Sequence, residues 1–181
     1  MCFKKYFIAL VIPEPGFSEI ESMKNSLYSE HGLKGALRSP AHLTLHRPFI
    51  WKEEKEQILI DHLTQFRFNK SIHIQLKNYS FFEPRVIYID VLPNEALNKL
   101  HAELTLFAKT KLKLLNEAED MRGFYPHVTI AFRDLKKAMF YTLQKEYSKQ
   151  AYAFDFQVSQ ITLLKHEKTW EIFKTFDGED E

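Results

Sequence analysis

The stretch His42-Leu43-Thr44-Leu45 recurs in the second half of the chain as His127-Val128-Thr129-Ile130. Each copy reads His, apolar, Thr, apolar, which is the alternation of a β-strand. Because successive side chains of a strand point to opposite faces, the His and Thr of each copy share one face. An imidazole transfers protons near neutral pH, and a hydroxyl donates a hydrogen bond to a phosphoryl oxygen. Two such strands would together supply an acid and a base.

The two motifs occupy matching places in a longer repeat. The order strand, helix, motif strand, helix, strand, strand occurs twice, over roughly 3–85 and 86–176, before an acidic tail at 177–181 that we expect to fray. The motifs are offset by 127 − 42 = 85 residues. The repeat predicts a single α+β domain over 1–181, with two pseudo-symmetric lobes, each an antiparallel sheet backed by helices, around a central cleft. An approximate two-fold axis would bring both His-x-Thr faces to this cleft.

The first predicted helix has start and stop signals. Ser18 stands three residues before Glu21, the spacing of a capping box, in which each side chain bonds a backbone N–H of the other residue. His31-Gly32 matches a helix end, because glycine readily adopts the left-handed conformation found there. The sequence therefore predicts a helix from about Ser18 to His31.

Composition restricts the classes of function. The chain has 181 residues, of which 45% are hydrophobic and 27% charged, which is typical of a globular protein. A formal net charge of +1 argues against broad phosphate neutralisation, so a nucleic-acid substrate would be held locally, at an end or as a short oligomer. The sequence contains no glycine-rich nucleotide loop and no HExxH or CxxC, so no metal site is predicted. The single Cys2 fits a reducing cytoplasm, and no stretch is long enough to span a membrane.

With both motifs placed, the chain resembles the 2H phosphoesterases, which include the 2′-5′ RNA ligase-like proteins and the 2′,3′-cyclic nucleotide phosphodiesterases. The resemblance rests on the two His-x-Thr motifs, the second preceded by Pro126, and on the order of elements from Tyr6 to Phe176. Ala131-Phe132-Arg133 also matches the family's habit of a small residue followed by a basic one. His46-Arg47-Pro48-Phe49 departs from the Phe-Leu-Gly that usually follows the first motif in large bacterial RNA ligase-like members, which favours a divergent branch.

The resemblance implies a metal-independent, cofactor-free enzyme, either a cyclic phosphodiesterase or a 2′-5′ RNA ligase-like phosphoesterase, with RNA processing as its setting. Its substrate and only expected partner would be a nucleotide or RNA end carrying a 2′,3′-cyclic phosphate or a 2′-5′ linkage. His42 and His127 would divide the acid and base roles, while Thr44 and Thr129 hold the non-bridging oxygens. Which histidine is the acid stays open, as does hydrolysis against ligation.

Three further residues are candidates for substrate binding. On extended strands, His46 shares the face of the first motif pair and Arg133 that of the second. Tyr125 suits stacking on a base. For Arg133 and His46 the alternative is a place at the cleft rim in water, and for Tyr125 it is packing against other side chains. Two other hypotheses for the function of the cleft also stay open. The protein could be a cyclic phosphodiesterase acting on ADP-ribose cyclic phosphate, or a nucleotide- or RNA-binding module without turnover.

Overall fold

Strands and helices alternate along the chain in the predicted order. The computed structural model describes residues 2–115 and 123–179. Within these ranges the strands and helices are β1 (Phe3–Val11), α1 (Gly16–His31), β2 (His42–Lys52), α2 (Glu56–Thr64), β3 (His73–Phe82), β4 (Val86–Val91), α3 (Glu95–Lys111), β5 (His127–Ala131), α4 (Lys137–Tyr147), β6 (Ala153–Gln157), β7 (Gln160–His166) and β8 (Trp170–Asp177). Short 3₁₀ turns occupy Ala36–Arg38 and Glu53–Lys55.

The strands form two antiparallel four-stranded sheets, with the orders β2-β1-β7-β8 and β5-β4-β3-β6. Each motif strand, β2 or β5, is the edge strand of its sheet, and these two edges contact each other. Two helices contact the motif strand of the other half of the chain: α1 contacts β5, and α3 contacts β2. The predicted α+β architecture, with two antiparallel sheets backed by helices, is therefore confirmed.

The two sheets do not coincide with the two halves of the chain. Strand β3 pairs with β4 through a hairpin whose last pair is Phe82 with Val86, so β3 joins the sheet of the second motif. Strands β7 and β8 return from the end of the chain to complete the sheet of the first motif. The predicted boundary near residue 85 thus falls inside the hairpin of β3 and β4.

The central strand β1 is buried on both of its faces. Tyr6, Ile8 and Leu10 enter the main hydrophobic core, where each is at most 1% exposed. Phe7 and Ala9 point to the opposite face and form a small second cluster. This second face is the one on which the first motif lies, so β1 separates the core from the candidate site.

The helix ends follow the predictions in part. Helix α1 begins at Gly16, two residues earlier than predicted, and Ser18 donates its hydroxyl hydrogen to Glu14 Oε1 at 2.8 Å. The predicted capping box between Ser18 and Glu21 is wrong, because Glu21 turns towards the first motif strand. At the other end Gly32 has a φ of 72° and its N–H donates to the carbonyl of Tyr28, as predicted. None of the described helices has the length and apolar character needed to cross a membrane.

The acidic tail is held in place as far as the structure describes it. The N–H of Glu179 donates to the carbonyl of Phe68 at 2.9 Å. The Glu179 carboxylate also pairs with the Arg67 guanidinium at 2.9 Å. Fraying is therefore not seen up to Glu179, and positions 180–181 lie outside the described residues.

Candidate active site

The first motif presents His42 and Thr44, both half-buried, on the face of β2 that points away from the main core. Thr44 pairs with Ala9, and the ring of His42 packs against that of Phe7 with centroids 4.9 Å apart. The Nδ1 atom of His42 lies 2.7 Å from the carbonyl oxygen of Pro40. Because a carbonyl can only accept, Nδ1 carries the proton, and Nε2 of the neutral ring remains as the proton acceptor.

The second motif repeats this geometry on β5. Thr129 pairs with Tyr88, and the ring of His127 packs against Phe82 and Tyr88 with centroids 5.1 and 5.0 Å apart. The Nδ1 atom of His127 lies 2.7 Å from the carbonyl oxygen of Tyr125. Each histidine therefore donates from Nδ1 to the carbonyl two residues before it, which makes Nε2 the nitrogen that can exchange a proton.

A β-bulge occupies the fourth position of each motif. In β2, the residues that pair with Thr44 and His46 are adjacent on β1, so Leu45 is an extra residue. In β5, the register skips Ile130 in the same way. Since a bulge changes the direction of the side chains that follow it, both strands break their alternation at the same point.

This bulge makes the prediction for His46 wrong. His46 pairs with Ile8, which belongs to the core face of β1, and paired residues share a face. The side chain is 1% exposed and its ring meets that of Phe49 edge-on with centroids 5.5 Å apart. Its Nδ1 lies 2.9 Å from the carbonyl oxygen of Arg47. His46 is therefore a core residue and does not face the cleft.

A cavity of about 210 Å³ lies where the two motif strands meet. His42 and Thr44 from the first motif and Thr129 from the second line it, so hydroxyls from both halves of the chain face one volume. His127 lies close enough for its charge to act on His42. The part of the chain that the structure describes contains no group of three His, Cys, Asp or Glu side chains suited to hold a metal ion.

Two arginines line the same cavity, of which only one was predicted. Strand β5 ends at Ala131, and Arg133 reaches the cavity with a left-handed backbone, at a φ of 66°. Such a conformation is uncommon outside glycine and is concentrated at functional sites. Arg38, on the 3₁₀ turn, lies in a segment without periodicity, so no sequence signal distinguished it from a connector.

A carboxylate joins the two arginine-bearing loops. Asp134 accepts the backbone N–H of Lys34 at 2.8 Å and that of Gly35 at 3.1 Å through Oδ2. The loops approach so closely that a Cβ on Gly35 would lie 2.2 Å from the carbonyl oxygen of Phe132. Gly35 is required here by this close contact, and the loops are held against each other across the cleft.

Tyr125 lies beside His127 and outside the described wall of the cavity. Its side chain is 45% exposed, and its hydroxyl is 3.5 Å from both the Tyr88 hydroxyl and Asp90 Oδ1. The structure thus places Tyr125 at the rim, where its backbone carbonyl orients His127. Tyr125 makes this contact because it stands two residues before His127, and its aromatic ring takes no part in it.

The surroundings of His42 favour its neutral form. Removal of the ring from water lowers the pKa of His42 to about 4, against the hydrogen bond to Pro40, which acts in the opposite direction. The positive charges of Lys24 and His127 are smaller contributions to the same lowering. Near neutral pH the His42 ring is therefore uncharged, with its lone pair on Nε2.

Two edge strands that bring His42, Thr44 and Thr129 to one cavity, with His127 close enough for its charge to act on His42, on two antiparallel sheets backed by helices, have the arrangement of a phosphoesterase. The family model of the 2′-5′ RNA ligase superfamily matches residues 12–170, and the chain belongs to that superfamily.

Relatives agree with this assignment over nearly the whole chain. A protein of Geobacillus sp. strain WCH70, named as a candidate phosphoesterase, is 30% identical over 177 residues, covering 95% of each chain. The fold is similar to that of E. coli LigT solved with 3′-AMP, at a TM-score of 0.63 and 19% identity, covering 97% of this chain and 98% of that one. It is also similar to that of TT0787 of Thermus thermophilus, at a TM-score of 0.63 and 16% identity, covering 98% of this chain and 99% of that one.

Proposed function

We propose that the protein cleaves 2′,3′-cyclic phosphates or 2′-5′ linkages at nucleotides and RNA ends by two-histidine acid–base catalysis. The observation that carries this proposal is the matched pair of hydrogen bonds from Nδ1 of His42 and His127 to the carbonyls of Pro40 and Tyr125. Each bond fixes a tautomer and makes Nε2 the nitrogen that exchanges a proton with substrate. Two such nitrogens on facing strands supply one proton acceptor and one proton donor without a metal ion.

The chemistry of a cyclic phosphodiester requires both groups. Water attacks phosphorus while a ribose oxygen leaves on the opposite side, so one group takes the proton of water and another protonates the leaving oxygen. Thr44 and Thr129 line the cavity, and each stands two residues after the histidine of its motif. Their hydroxyl hydrogens suit the non-bridging oxygens, on which negative charge concentrates in the transition state.

The charges around the two histidines favour different roles. His42 is uncharged above about pH 4 and faces Val11 across the strand pair, so we assign it as the base that accepts the proton of water. His127 faces Asp90 at the corresponding position of the other sheet. A carboxylate there suits a histidine that carries the proton to be donated, and we assign His127 as the acid.

The remaining walls of the cavity suit a nucleotide. Phe7, Phe132 and Trp170 offer ring surfaces for a base, and Arg38 and Arg133 offer guanidinium groups for phosphate oxygens. E. coli LigT, which has a similar fold, has been solved with 3′-AMP and with phosphate. A net charge of +1 favours binding of a single nucleotide or a strand end over binding along a duplex, which requires many phosphates to be neutralised.

Product analysis on a substrate panel tests the proposal. The panel comprises 2′,3′-cyclic mononucleotides, a 2′-5′ dinucleotide and ADP-ribose cyclic phosphate, incubated with EDTA and resolved by chromatography and mass spectrometry. We expect one or both of the first two classes to be cleaved. His42→Ala and His127→Ala should each lower the rate by about 10²–10⁴-fold, because each removes one general acid–base contribution.

The matched control is His73→Ala, since His73 is an exposed histidine that pairs with Asp155 away from the cavity. This variant should keep wild-type activity. Cleavage that survives either motif variant contradicts the proposal. Cleavage of ADP-ribose cyclic phosphate alone would reassign the substrate, and calorimetric binding of mononucleotides without product would identify a binding module.

A further inference from the structure

Lys24 is the one buried charged residue among the described Lys, Arg, Asp and Glu side chains. It lies on α1 and is 2% exposed. Its Nζ donates to Glu21 Oε1 at 2.8 Å and to the carbonyl of Ser39 at 3.0 Å. Burial lowers the pKa of Lys24, and the bond to Glu21 acts against this and supports the charged form.

The same oxygen of Glu21 holds the chain on the other side of Pro40. The backbone N–H of Ala41 donates to Glu21 Oε1 at 2.7 Å. Lys24 therefore bonds the residue before Pro40, and Glu21 bonds the residue after it. The carbonyl of Pro40 itself accepts from His42 Nδ1 at 2.7 Å. Hydrogen bonds from α1 thus hold the residues on either side of Pro40, and Pro40 in turn accepts from the imidazole.

We propose that Glu21 and Lys24 are positioning residues that fix the ring orientation and the tautomer of His42. The proposal rests on the proposed function of His42 as the base. Only Lys24 of this ion pair is fully buried, and the loss of its hydration offsets the attraction to Glu21, so the pair adds little to stability. A role in holding the Pro40 carbonyl therefore accounts for this pair better than a contribution to folding.

The second motif orients its histidine by a different arrangement. The carbonyl that accepts from His127 belongs to Tyr125, an exposed residue whose side chain lies 3.5 Å from Tyr88 and Asp90. The buried cation is thus specific to His42. The Glu21–Lys24 pair therefore distinguishes the surroundings of the two histidines. Its buried cation agrees with the assignment of His42 as the uncharged histidine.

Four cationic or titratable side chains surround the position of His42. The charges of Lys24 on α1 and His127 on β5 act on it, and Arg38 and Arg133 line the same cavity. All four of these side chains carry or can gain a positive charge, and the carboxylate of Glu21 offsets the charge of Lys24. Loss of the Lys24 charge should therefore raise the pKa of His42 above about 4, and loss of the Glu21 charge should lower it.

Nitrogen NMR of the histidine rings in the full chain tests the proposal without any substrate. In the wild type we expect His42 as the Nδ1–H tautomer, with Nε2 unprotonated above about pH 4. In Lys24→Met the ring should populate both tautomers and its pKa should rise. The matched control is Lys34→Met, which removes an exposed lysine from the neighbouring loop and should change neither property.

A second variant covers the case in which Lys24→Met does not fold. Glu21→Gln keeps a side-chain oxygen for the Ala41 N–H but removes the charge, so the tautomer of His42 should stay and its pKa should fall. The resonances of His73, an exposed histidine that pairs with Asp155 away from the cavity, serve as an internal reference and should stay unchanged. An unaltered tautomer and pKa of His42 in the folded Lys24→Met protein, or an unaltered pKa in Glu21→Gln, overturns the proposal.

Kinetics separate this proposal from the proposed function. Lys24→Met should lower kcat about tenfold or more with little change in KM, because the base is displaced while the binding groups remain. A wild-type protein without turnover on the substrate panel refutes the function alone. An active wild type whose Lys24→Met variant keeps full kcat and the His42 tautomer refutes the positioning role alone.

Discussion

Asp134 Oδ2 lies 2.8 Å from the backbone nitrogen of Lys34, so a carboxylate just after the second motif holds the loop that leads to the first. The contact spans 100 positions of sequence. It joins the two loops that carry Arg38 and Arg133 to the same cavity.

Asp134→Ala should weaken substrate binding and stability together. Loss of hydrogen bonds to a charged group should lower the free energy of unfolding by about 1–3 kcal/mol. KM should rise more than kcat falls, because the loop of Arg38 is released while the histidines stay in place. Chemical denaturation and steady-state kinetics measure these effects. Asp155→Ala, at an exposed ion pair with His73, is the control, and equal behaviour of the two variants would contradict the role of Asp134.

Removal of the motif hydroxyls should affect the transition state. Thr44→Val and Thr129→Val keep side-chain volume but lose the donor, and each should lower kcat by about 10²-fold, the effect of losing one oxyanion donor. KM should change little in comparison. Thr64→Val, at an exposed site on α2, is the matched control for the same substitution. A Thr44→Val enzyme with wild-type kcat would remove Thr44 from the mechanism.

The pH dependence of kcat/KM should report the free enzyme's His42. Because the base must be unprotonated, activity should be kept as the pH falls through 6.5 and be lost only near pH 4. In the complex, the phosphodiester anion stabilises the imidazolium, so the acidic limb of kcat should lie at higher pH than that of kcat/KM. Pre-steady-state and steady-state assays across this range, with circular dichroism to verify folding, provide the test. An acidic limb of kcat/KM near 6.5 would contradict a base with the low pKa of His42.

The same ionisation should make stability depend on pH. The folded-state pKa of His42 is about 4, below its value of 6.5 in the unfolded chain, so the unfolded chain binds more protons between these values. The free energy of unfolding should therefore fall as the pH drops from 6.5 to 4, by at most about 1.4 kcal/mol per pH unit from this residue. Denaturant titrations of the wild type and of His42→Ala measure this. The variant should have the shallower slope, and equal slopes would contradict the low pKa.

Much of the site could be predicted because strand alternation is local. His-x-Thr places its two polar side chains on one face whatever the partner strand, and the second copy places the other pair by symmetry. The structure brings Thr44 and Thr129 to one cavity in this way. Arg133 also reaches the cavity, although by a left-handed turn after the strand and not by its extension.

The errors and omissions arise where distant residues decide the outcome. The bulge at Leu45 depends on pairing with β1, so alternation alone gave His46 the wrong face. Glu21 carries a local capping signal, but a buried lysine and the Ala41 N–H compete successfully for its carboxylate. Arg38 lies in an aperiodic segment whose position is set by Asp134, almost a hundred residues further on.

The exchange of strands between the two sheets makes the halves of the chain inseparable. A fragment cut after residue 85 would keep β1 and β2 without β7 and β8, and β3 without β4. Neither fragment could close a four-stranded sheet alone, although together they hold every strand. The two histidines can therefore not be parted by a hinge between halves, and a split version of this protein should gain its cleft only when both pieces fold around each other.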